Sequence, residues 1–426
     1  MLRKVKAFVF RNFLETNHQA LNLARFIQFR LWKAKMALRG RAGSENGAAH
    51  EPLYVDPSLI NGYIGNLPWN RFDMRGLVKG GDWDLGATPF EGWDLCGAMR
   101  AHFEEGLAWE ETDFYKRVTS ELEAGKSKWG CTTPAAFQER LAGIDRLYHT
   151  IATEGYKTKA ELAQEGDAAL SWEPDSPFDP YDDVVVCIDR NGRFLLRDGK
   201  HRLMIAKLLG LKRIPVVVGL RHADWVAFKR EVRLWVKKRG GTSYQPFTHP
   251  DLHFKSLHDE RRAGLLCDHL PADTEKVLDI GAFFGYFCHI LEQRGKQCTA
   301  VEFHPENVYF LRKLREAEGR TFEVFAGSIF DFGRVGDYDT ILALNIFHHF
   351  IKTPGLLDNL RVLLRDVKAK YMFFEPHLQS DLVMQNAFYN PAPDEFADFV
   401  MENAGFTKKE FLATVDRGRS LYLLSR

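Results

Sequence analysis

Four stretches of this chain put reactive side chains at spacings that chemistry can use. The first is Lys276 to Gly285, KVLDIGAFFG, where Val277 and Leu278 predict a buried strand opening at Asp279 into a turn with Gly281 and Gly285. Tyr286 to Gly295 has helical length, and Glu302 ends the next apolar run, CTAVEF. Glycines in such a turn let the backbone pass close to a ligand, and a carboxylate about twenty residues on can accept two hydrogen bonds from ribose hydroxyls. This is a nucleotide-binding strand, turn and helix, and its spacing alone also admits a dinucleotide. The second stretch is Asp198-Gly199-Lys200-His201-Arg202, just ahead of the apolar run LMIAKLLG. Free backbone N–H groups at a helix start attract an anion, and Lys200, His201 and Arg202 add charge and donors there, so Gly199 to Arg202 can hold phosphate. The plainer alternative makes Asp198 a helix cap and Arg202 a surface ion pair. In the third, Gly80-Gly81-Asp82-Trp83-Asp84, the glycines can admit a phosphate. Asp82 can hold magnesium, and Asp82 or Asp84 can accept a hydroxyl proton, unless Trp83 simply anchors an acidic loop. The fourth is Asn345-Ile346-Phe347-His348-His349, where either histidine can take a proton from a hydroxyl acceptor.

The elements that must position these residues are legible around them. VVVCI at 184 to 188 and RFLLR at 193 to 197, joined through Asn191-Gly192, predict a hairpin. A helix capped by Gly210 follows, then a strand from Ile214 to Val218. Arg221-His222 and Trp225 come next and are placed near the edge that carries His201, with His222 either on phosphate or satisfied by a backbone carbonyl. Toward the end, MENAGF finishes a helix with Gly405 as its cap, and KKEFLAT and LYLLS form two strands around Asp416-Arg417-Gly418-Arg419. Polar or glycine-rich breaks at Gly40 to His50 and Gly240 to Ser243 divide the chain into residues 1–41, 51–239 and 244–426.

The segment from Tyr244 to Arg426 resembles a class I S-adenosylmethionine-dependent methyltransferase, with a Rossmann-like α/β fold. By that resemblance Asp279, Gly281 and Gly285 line the methionine moiety and Glu302 holds the ribose. Ser328 in AGSIFDF stands where the family often has an acid near the adenine, and Asn345 to His349 follow the fourth strand facing cofactor and acceptor. Phe283 departs from the pattern, standing where many members have a glycine. The alternative is a Rossmann-like domain without activity. Residues 184 to 218 resemble the α+β ParB and sulfiredoxin-like fold, in which a glycine followed by His-Arg or Arg-Arg at a helix start holds nucleotide phosphates. Its members include nucleotide hydrolases, an ATP-using reductase and small-molecule kinases, and the resemblance does not choose among them.

Net charge is +1, yet residues 1–41 carry ten Lys or Arg against Glu15 alone, so the rest is net acidic. An acidic body is a poor nucleic-acid binder, and Asn345-Ile346-Phe347 lacks the paired prolines that resemble amino-methylating DNA enzymes. Within residues 1–41, Leu23, Ile27, Leu31, Ala34 and Leu38 fall on one helical stripe, with Arg25, Arg30, Lys33, Lys35 and Arg39 around it. Such a helix can lie on an anionic membrane surface, or pack on the body or on a second copy in a homo-oligomer. The six cysteines show no CxxC pair, and no run of about 20 apolar residues occurs, which suits a cytoplasmic protein, peripheral at the inner membrane face if the helix binds lipid.

Together these signals predict a bifunctional enzyme. Its middle domain would phosphorylate a sugar or surface glycan with ATP and Mg2+, and its C-terminal domain would methylate that phosphate or a neighbouring hydroxyl. The competing expectation is a methyltransferase positioned by a non-catalytic nucleotide-binding or substrate-recognition module.

Overall fold

The computed structural model describes residues 52–68, 74, 76–158, 161 and 184–426. The basic helix expected within residues 1–41 lies outside them. The chain divides into two compact units between Val226 and Ala227, upstream of the Gly240 to Ser243 break. Among the described residues no helix is long and apolar enough to cross a membrane.

The first unit is built on β1 (Leu53–Val55), β2 (Ile60–Tyr63), β3 (Leu77–Lys79), β4 (Thr88–Pro89), β5 (Val184–Ile188), β6 (Phe194–Asp198) and β7 (Ile214–His222). They form one mixed sheet ordered β1-β7-β5-β6-β2-β4, with β3 also on β7. All five side chains of β5 are buried, so this apolar run forms a central strand. The hairpin to β6 turns at Gly192, φ 97°, and Asp189 Oδ1 braces it by accepting from the N–H groups of Asn191 and Arg193. The helices are α1 (Asp94–Phe103), α2 (Asp113–Glu123), α3 (Pro134–Glu154) and α4 (Lys200–Leu208), with α5 (Ala223–Lys238) containing the division. Local chemistry starts them: Thr112 caps α2 through Tyr115 N, and Thr133 caps α3 through Ala136 N with Pro134 behind it.

The second unit contains α6 (Arg261–Asp268), β8 (Lys276–Ile280), α7 (Tyr286–Glu292), β9 (Gln297–Glu302), α8 (Pro305–Ala317), β10 (Glu323–Ala326) and β11 (Thr340–Leu344). It continues with α9 (Pro354–Asp366), β12 (Tyr371–Glu375), α10 (Pro393–Ala404), β13 (Lys408–Val415) and β14 (Arg419–Ser425). The strand order is β10-β9-β8-β11-β12-β14-β13. Neighbours from β10 to β12 are parallel, and β14 runs antiparallel to both β12 and β13.

Alternation along these strands fills two cores. Val277, Leu342 and Phe373 join Ala263, Leu266, Tyr286, Phe287 and Leu291 on one face. Leu278, Ile280, Ile341, Ala343, Met372 and Phe374 join Leu357, Leu360, Phe396 and Val400 on the other. Both faces are covered by helices, which is why the strands read as unbroken apolar runs. Gly405 ends α10 in the left-handed region at φ 74°, and the final hairpin turns through Asp416 to Gly418, both as the sequence predicts.

Candidate functional site

In the second unit the chain leaves β8 to cover one side of the sheet with β9 and β10, then returns to place β11 on the other side. Such a reversal leaves a crevice at the carboxyl ends of β8 and β11, the place where open parallel sheets bind ligands. Asp279 to Gly285 and Asn345 to His349 follow those two strands, so the topology gathers the first and fourth stretches at one edge.

The turn after β8 has the conformation that a close-lying ligand requires. Gly281 has φ 74°, and a Cβ there would stand 2.6 Å from Ile346 Cδ1. Gly285 has φ 80°, and a Cβ would meet Phe322 at 3.2 Å. Phe283 takes the glycine-like conformation too, at φ 55°, and its ring lies 4.0 Å from that of Phe284 and against Trp235 and Tyr244. The departure from glycine therefore keeps the shape of the turn, at the modest strain of a left-handed bulky residue.

Glu302 is buried at the end of β9 and ties the crevice together. Its Oε2 accepts from Phe283 N at 2.9 Å, and Oε1 accepts from His304 N at 2.8 Å and from Asn307 Nδ2 at 3.2 Å. Those bonds use three of about four acceptor sites, so the ribose expectation narrows to one direct bond, or two if Asn307 swings away. Beyond it, Phe303 is 72% exposed and lines a groove of ≈ 450 Å³ with Tyr309, Arg312 and Ala326, which offers a purine a flat apolar face. Ser328 is half-buried and accepts from Phe330 N at 3.3 Å, starting a short helical turn.

Asp279 is buried, and desolvation pushes its carboxyl up to about 7. Asn345 adopts φ 55°, a conformation its short amide side chain tolerates. Its Nδ2 donates to Tyr244 Oη at 2.9 Å and its backbone N to Glu375 O at 2.8 Å, while Oδ1 is buried without a partner. His348 is buried, and that burial, with His349 beside it, pushes its imidazole down to about 3. His349 is exposed, so of this pair His348 is the one enclosed by the fold.

Sequence reasoning missed a second set of residues at this edge. Arg262 of α6 and Glu375 at the end of β12 form a buried ion pair at 2.9 Å. Arg262 Nε and Nη2 and Glu375 Oε1 have no hydrogen-bond partner. An arginine with two unpaired buried N–H directions suits a carboxylate, so Arg262 can hold the carboxylate of a methionine moiety while Asp279 faces its ammonium. S-adenosylmethionine thus fits on two counts: a carboxylate with acceptor capacity left, and orphaned guanidinium donors. Tyr244, His258, His377 and Arg419 complete the edge, with His258 Nδ1 donating to Asp416 Oδ2 at 2.7 Å and Arg419 Nη2 to Asp381 Oδ2 at 2.9 Å. The Glu375-Pro376-His377 run after an apolar strand was the available signal. Arg262 and Arg419 carried none, because nothing in their neighbourhood says which way they point.

In the first unit, Gly199 stands at φ 86° as the residue before α4. Lys200 Nζ lies 4.4 Å over the Trp129 ring, His201 is buried against that ring, and Arg202 Nη1 donates to Lys157 O at 3.0 Å. Burial and the charges of Lys200 and Arg140 push the His201 imidazole well down. Lys200 and Arg202 thus bring two cations to the N-terminus of α4, beside a buried neutral His201.

Asp82 and Asp84 do not join that cluster. Arg190 grips Asp84 through Nε at 2.9 Å and Nη2 at 2.7 Å, adds a backbone N–H bond at 3.0 Å, and also reaches Asp82 at 2.9 Å. His222 donates to Gly81 O at 2.8 Å, and Trp83 Nε1 donates to Lys79 O at 3.1 Å. Because β6 runs antiparallel to β5, with Asp198 opposite Val185, and β7 runs parallel to β5, with Arg221 opposite Ile188, the two groups sit at opposite ends of the sheet. The five residue steps from Val185 to Arg190 span about 16 Å. Asp82, Asp84, Arg221 and His222 are therefore separated from Gly199 to Arg202, and the shared edge expected for His201 and His222 is not formed. Among the described residues no group of three His, Cys, Asp or Glu is arranged to hold a metal.

Comparison with known proteins bears on the second unit. A family model described as a methyltransferase domain matches residues 278–368. The chain is 27% identical over 137 residues to the O-antigen chain terminator bifunctional methyltransferase/kinase WbdD of Escherichia coli, covering 26% of this chain and 19% of that protein. It is 30% identical over 98 residues to a second Escherichia coli protein of the same name, covering 21% and 13%. The matched part thus spans less than a fifth of the length of these relatives. A solved structure of the bifunctional kinase-methyltransferase WbdD aligns over 43% of each chain at 21% identity, with a TM-score of 0.36, a superposition too limited to carry weight. The C-terminal unit of this chain carries a methyltransferase domain, and such a domain implies S-adenosylmethionine.

Proposed function

We propose that the chain is a bifunctional enzyme. Its C-terminal unit transfers a methyl group from S-adenosylmethionine to a glycan or small sugar, and its first unit phosphorylates the same class of acceptor with ATP and Mg2+. The methyl-transfer half rests on one convergence: the Gly281 turn, Glu302 and the two unbonded N–H positions of Arg262, Nε and Nη2, meet at the crevice between β8 and β11. A strand order parallel except for β14 supports a Rossmann-like class I fold for this unit. S-adenosylmethionine supplies an electrophilic methyl on a sulfonium. The protein's part is alignment and exclusion of water, with Arg262 and Asp279 fixing one end of the donor and Glu302 the other.

The phosphorylating half rests on the Gly199 to Arg202 cluster at the start of α4 and on the relatives' methyltransferase/kinase names. A ParB or sulfiredoxin-like fold for the first unit belongs to the same proposal, as does attachment of residues 1–41 to an anionic membrane beside lipid-linked glycan. One observation favours the second reading, a methyltransferase positioned by a non-catalytic module: the carboxylates of Asp82 and Asp84 lie about 16 Å along the sheet from the phosphate motif. Calorimetric titration with ATP and magnesium, beside Arg202→Ala and with S-adenosylhomocysteine as control, separates the two. Saturable ATP binding lost in the variant supports the kinase half. No ATP binding with the control intact leaves a methyltransferase with a recognition domain.

A further inference from the structure

Three buried nitrogens at the carboxyl edge of the second unit's sheet have no hydrogen-bond partner: His348 Nδ1, His377 Nδ1 and Arg419 Nε. They come from three elements, the turn after β11, the end of β12 and the start of β14, and all three residues are more than nine-tenths buried. The His348 and His377 rings lie 6.1 Å apart.

The protonation of His377 is dictated by its surroundings. Asn390 Nδ2 faces the backbone carbonyl of Gln379 at 3.1 Å, and a carbonyl can only accept, so the amide's oxygen is the atom turned to His377. Gln379 Nε2 returns a bond to Asn390 O at 3.0 Å and closes the loop on itself. Asn390 Oδ1, 2.9 Å from His377 Nε2, must then receive a proton from that nitrogen. Neutral imidazole carries one N–H, so Nδ1 presents a bare lone pair inside the protein. The charged and titratable groups facing the ring are Asp381, Arg419 and His348. Burial and Arg419 favour the neutral ring, and Asn390 and Asp381 pull the other way.

The charges around this lone pair indicate what it meets. Arg419, the cation facing the ring, is paired with Asp381 at 2.9 Å, and the neighbouring Arg262 is paired with Glu375 at 2.9 Å. Guanidinium groups already paired with carboxylates make a poor site for a phosphate dianion. They suit a neutral polar group.

We propose that His377 is the general base of methyl transfer and that the acceptor is a neutral hydroxyl, held through a neighbouring oxygen by Arg419 Nε–H. This rests on the methyltransferase reading of the same site. The acceptor oxygen forms its bond to the methyl carbon as the carbon–sulfur bond breaks. The electron pair stays on sulfur, giving a neutral thioether, and the hydroxyl proton passes to His377 Nδ1. Asn390 is a positioning residue that holds the tautomer. His348, on the neighbouring turn after β11 with its ring 6.1 Å from that of His377, shapes the wall.

The test uses the full chain. First, 15N-edited NMR of the imidazoles is recorded with S-adenosylhomocysteine bound. Labelled methyl transfer is then measured to methyl hexopyranosides and, separately, to hexose phosphates. Expected is a His377 signal protonated at Nε2 alone at neutral pH, shifting toward the other tautomer in Asn390→Leu. Transfer to the hydroxyl probes should fall about 10²- to 10⁴-fold in His377→Gln, with S-adenosylhomocysteine affinity unchanged. A wild-type His377 protonated at Nδ1, a His377→Gln variant that methylates at the wild-type rate, or methylation confined to phosphate oxygens overturns the proposal. Should neither probe class react, the tautomer alone decides. Failure of the wild-type chain to bind S-adenosylhomocysteine would instead overturn the methyltransferase reading.

Discussion

Replacing Arg262 by methionine separates what this residue does for the fold from what it does for the ligand. The side chains of Arg262 and Glu375 are 2% and 0% exposed, so Arg262→Met leaves a buried carboxylate with no partner. Breaking a buried pair in this way costs about 3–5 kcal/mol, most of it the stranded charge rather than the lost bond. For a unit of this size each kcal/mol moves the melting temperature by about 2–4 °C, so the deficit should be about 6–20 °C. Calorimetry on the full chain can read it in the transition that S-adenosylhomocysteine shifts upward. Burial already raises the Glu375 carboxyl while Arg262 pulls it down, and without Arg262 it rises further in the folded state. A carboxyl whose folded value lies above its unfolded value makes the folded protein bind more protons across that window, so stability falls as pH rises through it. The deficit relative to wild type should therefore be smaller at pH 5 than at pH 7.5. The double variant Arg262→Met/Glu375→Leu should regain most of the stability and none of the ligand affinity. Equal deficits at both pH values, or a single variant as stable as the double, would refute the stranded-charge account.

Two further outcomes follow from the same edge. Gly281→Ala combines a left-handed backbone with a Cβ 2.6 Å from Ile346, so it should lower S-adenosylhomocysteine affinity more than tenfold by calorimetry. Adding Ile346→Ala should recover part of that loss, because backbone strain remains when the clash is gone. Asp279, raised to about 7 by burial, should release a proton when the ligand's ammonium arrives. Titrations at pH 6.5 in buffers of different ionisation enthalpy should detect that release in wild type and not in Asp279→Asn.

Much of the second unit was legible because its signals are local. Gly281, Gly285 and Gly405 mark left-handed turns, apolar runs mark strands buried on both faces, and Glu302 terminates one of them; neighbouring residues specify each feature. The β5–β6 hairpin around Asn191-Gly192 and the start of α4 are local in the same way. Separation in space is not. Asp82 and His222 looked compatible with the Gly199 motif until the antiparallel direction of β6 sent them to opposite ends of one sheet. The N-terminal apolar stripe with its surrounding Lys and Arg remains a sequence property, since residues 1–41 lie outside the described part.

What the amino-acid order alone determined is a chain with a nucleotide-type turn at 276–285, a carboxylate at 302 and a phosphate-type motif at 199–202. The reason is that turn conformation and strand burial are decided within about ten residues. What only the tertiary structure decided is the membership of the second unit's polar edge. Arg262, Glu375, His377 and Arg419 lie up to 157 residues apart in sequence, and the strand order together with the packing of α6 brings them together. Burial then turns an ordinary arginine, glutamate and histidine into a stranded donor, a raised acid and a bare lone pair, because removal from water makes each unpaired group costly enough to require a partner.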